Sequence, residues 1–114
     1  LVSLFTVAGE EQGLSVCQRL LANQGAGHTA VIHTNDQRLQ QRFAAAIPAS
    51  RILVNSPATH GCIGIGNGLV PSLTLGCGTF GGNSTTDNVT YTNLLNIKRL
   101  ARPRPTAPDT AGSR

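Results

Sequence analysis

Residues 28–56 read HTAVIHTNDQRLQQRFAAAIPASRILVNS, and their pattern decides the fold. His28–Thr34 and Arg51–Ser56 are short runs that read as strands. Between them, Leu39, Phe43 and Ile47 recur on one helical stripe. Asn35 or Asp36 can cap that helix, and Pro48 ends it. Outward to the N-terminus, Leu14, Cys17, Leu20 and Leu21 mark a second helix over Glu10–Gln24. Glu10 and Glu11 suit its positive end, and Gly25 and Gly27 suit its stop. Before it, Leu1–Val7 reads as a third buried strand closed by Gly9. The order is β-α-β-α-β, which predicts an α/β unit with a parallel sheet and right-handed crossovers.

Beyond Pro57 the pattern changes. Eight of the thirteen glycines fall in residues 61–82. So long a segment without regular structure is usually functional or disordered. Leu69, Val70, Leu73, Leu75 and Phe80 predict an anchored loop. Asp87–Leu95 has room for a short helix, and Asn96–Ala101 reads as a last, edge-like strand. Residues 102–114, rich in Pro and Arg, read as an unstructured tail.

Composition sets bounds. The chain has 114 residues, 39% hydrophobic and 12% charged, which fits one globular unit and not an intrinsically disordered chain. Entry directly into a core strand, without Met, suggests a piece of something longer. The opening apolar run lacks the basic flank of a signal peptide. No apolar run approaches the ~20 residues that span a bilayer, so no membrane partner is expected. The net charge of +4 lies wholly in residues 98–114, while residues 1–97 carry four bases and four acids. A neutral body with 4% aromatics argues against nucleic acid as a partner. Cys17, Cys62 and Cys77, an odd count without CxxC spacing, suggest a reducing compartment, hence the cytoplasm. The sequons at Asn83 and Asn88 matter only in a secreted chain.

Four motifs could carry chemistry. Gly76–Gly81 (GCGTFG) fits GxGxxG, but no helix start or ribose-binding acid follows, so a close-packed Gly-rich turn competes with a small dinucleotide-binding domain. Cys62 or Cys77 could pair with His28, His33 or His60 as a nucleophile, or simply fill a gap. The histidines lack metal-ligand spacing, and no metal is expected. His28, after a Gly-rich turn at a strand start, can face a cleft or be structural.

Five ordered segments carry a resemblance: Gly27-His28-Thr29-Ala30-Val31-Ile32-His33; Arg51-Ile52-Leu53-Val54-Asn55-Ser56-Pro57; Pro71-Ser72-Leu73-Thr74-Leu75-Gly76-Cys77-Gly78-Thr79-Phe80-Gly81-Gly82-Asn83-Ser84; Asp87-Asn88-Val89; and Leu94–Ala101. Over residues 1–101 the chain resembles the C-terminal part of CoA-acylating aldehyde dehydrogenases, including the aldehyde half of aldehyde–alcohol dehydrogenases.

The resemblance implies a fold, an activity and roles. Residues 1–95 would be a partial catalytic domain, with its Gly-rich loop at 61–82. Asn96–Ala101 would be an oligomerisation strand that joins a neighbouring subunit. In the complete enzyme a cysteine thiolate attacks the aldehyde, hydride passes to NAD or NADP, and CoA takes the acyl group. The nucleophile and main cofactor site would lie outside these residues, so the chain alone should bind no cofactor and be inactive. His28 would polarise the aldehyde or steady the thioester oxygen. Asn55, Ser56, Pro57, Ala58, Thr59 and His60 would line the aldehyde tunnel. Partners would be the remaining part of the dehydrogenase and a homo-oligomer, in the cytoplasm or a microcompartment. A non-catalytic interaction module is the alternative.

Overall fold

The computed structural model describes residues 2–104. Helix α1 (Glu10–Asn23) leads to strand β1 (Gly27–Ile32), helix α2 (Gln37–Ala46), strand β2 (Ala49–Val54) and the short helix α3 (Ala58–Cys62). The strands run parallel, with Gly27 opposite Ala49, Thr29 opposite Arg51 and Ile32 opposite Val54. This is the crossover that the 28–56 pattern predicts.

Local chemistry sets the ends. Asp36 caps α2, its carboxylate accepting from Arg38 N (2.8 Å) and Leu39 N (3.3 Å). Pro48 follows, and Phe43 and Ile47 bury the stripe. α1 lies along α2: Gln18 Nε2 donates to Ala46 O (3.0 Å), and Arg42 bridges Glu10 (3.1 Å) and Glu11. At the far ends of the strands Asn55 takes a left-handed conformation (φ 52). Its side chain accepts from Thr34 N (2.9 Å) and donates to Thr34 O (3.1 Å), joining the two strand exits.

The Gly-rich segment and the residues that follow it fold back on the sheet as two arms. Gly76 N donates to Asp87 O, Gly78 N to Thr85 O and Val89 N to Thr74 O, each at 2.8 Å. Residues 74–78 and 85–89 thus run antiparallel. Asn88 Nδ2 ties the second arm to Cys62 O (2.9 Å) and Val70 O (2.8 Å). The arms meet the sheet at Gly27 (φ 84), where any Cβ would collide with Cys77 O and crowd Gly81 N at 2.9 Å.

Four expectations need correction. Residues 2–7 form no strand: a strand exists through hydrogen bonds to a neighbour, and among the described residues none reaches them. Val2 (95%) and Leu4 (90%) are exposed. The described sheet therefore has two strands instead of three. Asn96–Ala101 is likewise exposed, without regular structure and unpaired among the described residues, and the helix expected over 87–95 shrinks to a 3₁₀ turn at Tyr91–Leu94. Of the expected apolar anchors, Val70, Leu73 and Phe80 are exposed; backbone bonds and Asn88 hold the arms instead. Of the tail, residues 102–104 are exposed, and the rest lies outside the described residues.

The buried apolar side chains among the described residues are Phe43, Ile47, Leu53 and Cys77. The radius of gyration is 21.0 Å, against about 13 Å for a compact chain of 100 residues.

Candidate functional site

β2 carries a charged residue, Arg51, next to Ser50 in a strand whose other residues are apolar. Arg51 is 4% exposed. Its Nε donates to Thr29 Oγ1 (3.1 Å), one terminal nitrogen to Thr86 O (3.1 Å) and the other to Gly76 O (2.7 Å). One guanidinium thus joins β1, β2 and both arms. Sequence reasoning took Arg51 only as the first residue of a strand; the available signal was a permanent cation at an alternating, inward position.

The expected site residues fall at opposite ends of the sheet. His28 follows Gly27 at the start of β1 and is exposed. Alternation along the strand turns it to the face opposite Thr29 and Arg51. The Gly-rich turn at Cys77–Gly81 packs against this end. Asn55, Ser56, Pro57, Ala58, Thr59 and His60 leave the other end of β2, the carboxyl end where ligands of open parallel sheets usually bind. Thr59 and His60 are exposed on α3. Gly61 lets α3 sit close to the sheet, since a Cβ there would lie 2.6 Å from Leu53 Cδ1 and 2.7 Å from Ser56 Oγ. The two ends are about 17 Å apart at ~3.3 Å per strand residue, so the structure does not bring His28 to the 55–60 loop.

The remaining motifs resolve plainly. Cys62 Sγ donates to Thr59 O (3.4 Å) and Cys77 Sγ to Gly81 O (3.6 Å); among the described residues no imidazole is hydrogen-bonded to a thiol. No group of three or more His, Cys, Asp or Glu gathers among them at a metal-binding spacing. Gly76–Gly81 runs into a single 3₁₀ turn, Thr79–Gly81. A dinucleotide fingerprint needs an α-helix N-terminus there to face the pyrophosphate, so these residues do not fit a nicotinamide dinucleotide, and the small dinucleotide-binding domain is set aside.

The parallel crossover with its folded-back arms matches solved structures of aldehyde dehydrogenases. The chain is similar to the crystal structure of an acetylating aldehyde dehydrogenase from Geobacillus thermoglucosidasius, with TM-score 0.81 and 44% identity over 91% of this chain and 23% of that one. It is 43% identical over 104 residues to the aldehyde-alcohol dehydrogenase of Streptococcus pneumoniae, covering 90% of this chain and 12% of the relative. It is 38% identical over 90 residues to the succinate-semialdehyde dehydrogenase (acetylating) of Clostridium kluyveri, covering 79% and 20%. No protein-family model matches the chain. The chain is a homologue of the acylating aldehyde dehydrogenases, and it spans between 12% and 20% of the length of these two curated relatives.

Proposed function

We propose that these residues are the C-terminal segment of a CoA-acylating aldehyde dehydrogenase, which converts an aldehyde, CoA and NAD(P) to acyl-CoA and NAD(P)H. The observation that carries this reading is 44% identity over 91% of the chain to an acetylating enzyme of which it covers only 23%. The small core and the exposed Val2, Leu4, Leu95, Ile97 and Leu100 support it, because such surfaces suit burial against further chain.

In this reading the nucleophilic cysteine and the main contacts to NAD(P) and CoA come from outside these residues. When bound, NAD(P) supplies the hydride acceptor and CoA the thiol that takes the acyl group. This chain contributes His28, whose exposed imidazole can donate a hydrogen bond to the substrate carbonyl oxygen and stabilise the charge that develops there. Residues 55–60 give the aldehyde tunnel one wall, held by the Asn55 bonds to Thr34. Asn96–Ala101, without regular structure and unpaired among the described residues, becomes a strand by pairing with an open sheet edge of a second subunit. No helix among the described residues is long and apolar enough to cross a membrane, and the reading places the enzyme in the cytoplasm or a microcompartment.

The test replaces the matching segment of the Geobacillus thermoglucosidasius enzyme with residues 2–104. The expected result is NADH formation from acetaldehyde and CoA by the graft and none by the 114-residue chain. A folded, inactive graft would favour a non-catalytic interaction module. His28→Ala in the graft should lower kcat about 100-fold, the scale of losing one hydrogen bond to a developing oxyanion.

A further inference from the structure

His28 is the group that the proposed function sets against the substrate carbonyl, and its sequence neighbours Gly27 and Thr29 decide where it points. β1 begins at Gly27, and the end of a strand frays unless something packs on it. Here both neighbours are held, and both holds lead to Arg51. On one side of His28, Thr29 Oγ1 accepts from Arg51 Nε (3.1 Å). On the other, Gly27 lies so close to the Cys77 carbonyl that a Cβ would collide with it. Cys77 follows Gly76, whose carbonyl accepts from the Arg51 guanidinium (2.7 Å). The second arm locks the first: Gly78 N donates to Thr85 O (2.8 Å), and Thr86 O accepts from the same guanidinium (3.1 Å).

Arg51 cannot itself meet what His28 meets. Residues 28 and 29 point to opposite faces of the strand, and Arg51 lies on the face of Thr29, 4% exposed. Stability alone is a weak reason for its charge. A buried guanidinium among neutral acceptors carries a desolvation cost that apolar residues of similar size avoid. What it offers instead is a planar fork with donors at fixed angles, and here these reach β1 and both arms at once.

We infer that Arg51 is a positioning residue for the reaction. Acting through Thr29 and through Gly76–Cys77, it holds His28 at the angle from which the imidazole donates to the substrate carbonyl oxygen. The inference rests on the proposed function and deepens the role given there to His28. A shift of about 1 Å at a reacting group can cost about 100-fold in rate, so a remote side chain that fixes the angle matters to turnover.

The graft described above tests this by a double-substitution cycle. Arg51→Lys keeps the positive charge and replaces the fork by one nitrogen. It should lower kcat with acetaldehyde about tenfold and leave KM within about twofold, as for an interaction made in the transition state. In the graft carrying His28→Ala, the same substitution should change kcat by less than about twofold, because the group it positions is gone. Equal losses in both backgrounds, or no loss with His28 present, overturn the inference. Should Arg51→Lys fail to fold, Thr29→Val takes its place: a loss of about threefold is expected, restored by Thr29→Ser and absent beside His28→Ala. A second reading needs no turnover. In the 114-residue chain the backbone order parameter of His28 should fall from about 0.85 to below about 0.6 on Thr29→Val, with α2 unchanged; an unchanged value at His28 overturns the inference. An inactive parent graft refutes the proposed function and takes this inference with it, whereas an active graft in which the two losses multiply refutes the inference alone.

Discussion

The middle of the chain and its two ends behave as different materials. From Gly27 to Val89, β1, β2 and the Gly-rich arms are held by backbone bonds and by three polar side chains, Arg51, Asn55 and Asn88. Residues 2–7 and 96–104 carry a comparable share of apolar side chains, yet these are exposed and the backbone is unpaired among the described residues. Apolar content alone does not order a segment; it orders where a partner surface lies within reach. The middle finds its partners within its own sequence, and the ends do not find theirs among the described residues.

Substitutions can break that contrast. The largest effect is expected for Arg51→Met. It removes the donors for Gly76 O and Thr86 O, and hydrogen bonds to a charged group contribute about 1.5–3 kcal/mol each. Local opening of residues 74–89, read by hydrogen exchange, should become easier by about 3 kcal/mol or more; unchanged exchange would remove Arg51 from the centre of the fold. Gly27→Ala comes next, because it adds strain at φ 84 and a collision with Cys77 O. About 2–3 kcal/mol is expected, with cooperative loss of protection around Cys77–Gly81 as the signature.

Smaller effects sharpen the comparison. Asn55→Gly keeps the left-handed backbone and loses the bonds to Thr34, whereas Asn55→Ala loses both. A cost of about 1 kcal/mol for Gly and about 2 for Ala would separate the two contributions. Asp36→Ala should cost about 1 kcal/mol through the lost cap of α2. At the ends, Leu4→Ser or Ile97→Ser should shift the stability of the 114-residue chain by less than about 0.5 kcal/mol, as for exposed positions generally. The same changes in the graft should be several-fold more costly. Equal effects in both would show that the ends find no partner there.

What the sequence showed follows the range of the interactions. Helices α1 and α2 and the Asp36 cap rest on contacts within a few residues, and periodicity finds them; β1 and β2 pair across 22 residues, but the helix between them in sequence marks the crossover. Leu1–Val7 and Asn96–Ala101 have strand-like composition too, but pairing is non-local and composition cannot supply the partner. Arg51 was hidden for the same reason, since its acceptors Thr29, Thr86 and Gly76 lie 22, 35 and 25 residues away. The Gly-rich arms were legible as a loop and illegible as an antiparallel pair, because alternating backbone bonds leave no side-chain period. Among candidate site residues, the motifs pointed to His28 and to 55–60 separately. Only the strand register shows that they stand at opposite ends of the sheet.

Acyl-CoA formation puts the account to its most direct test. Acetaldehyde, CoA and NAD are supplied to the 114-residue chain and, in parallel, to the Geobacillus thermoglucosidasius enzyme carrying residues 2–104. The account predicts NADH and acetyl-CoA from the graft and nothing above background from the chain. Turnover by the chain alone, or a correctly folded graft without activity, would contradict it.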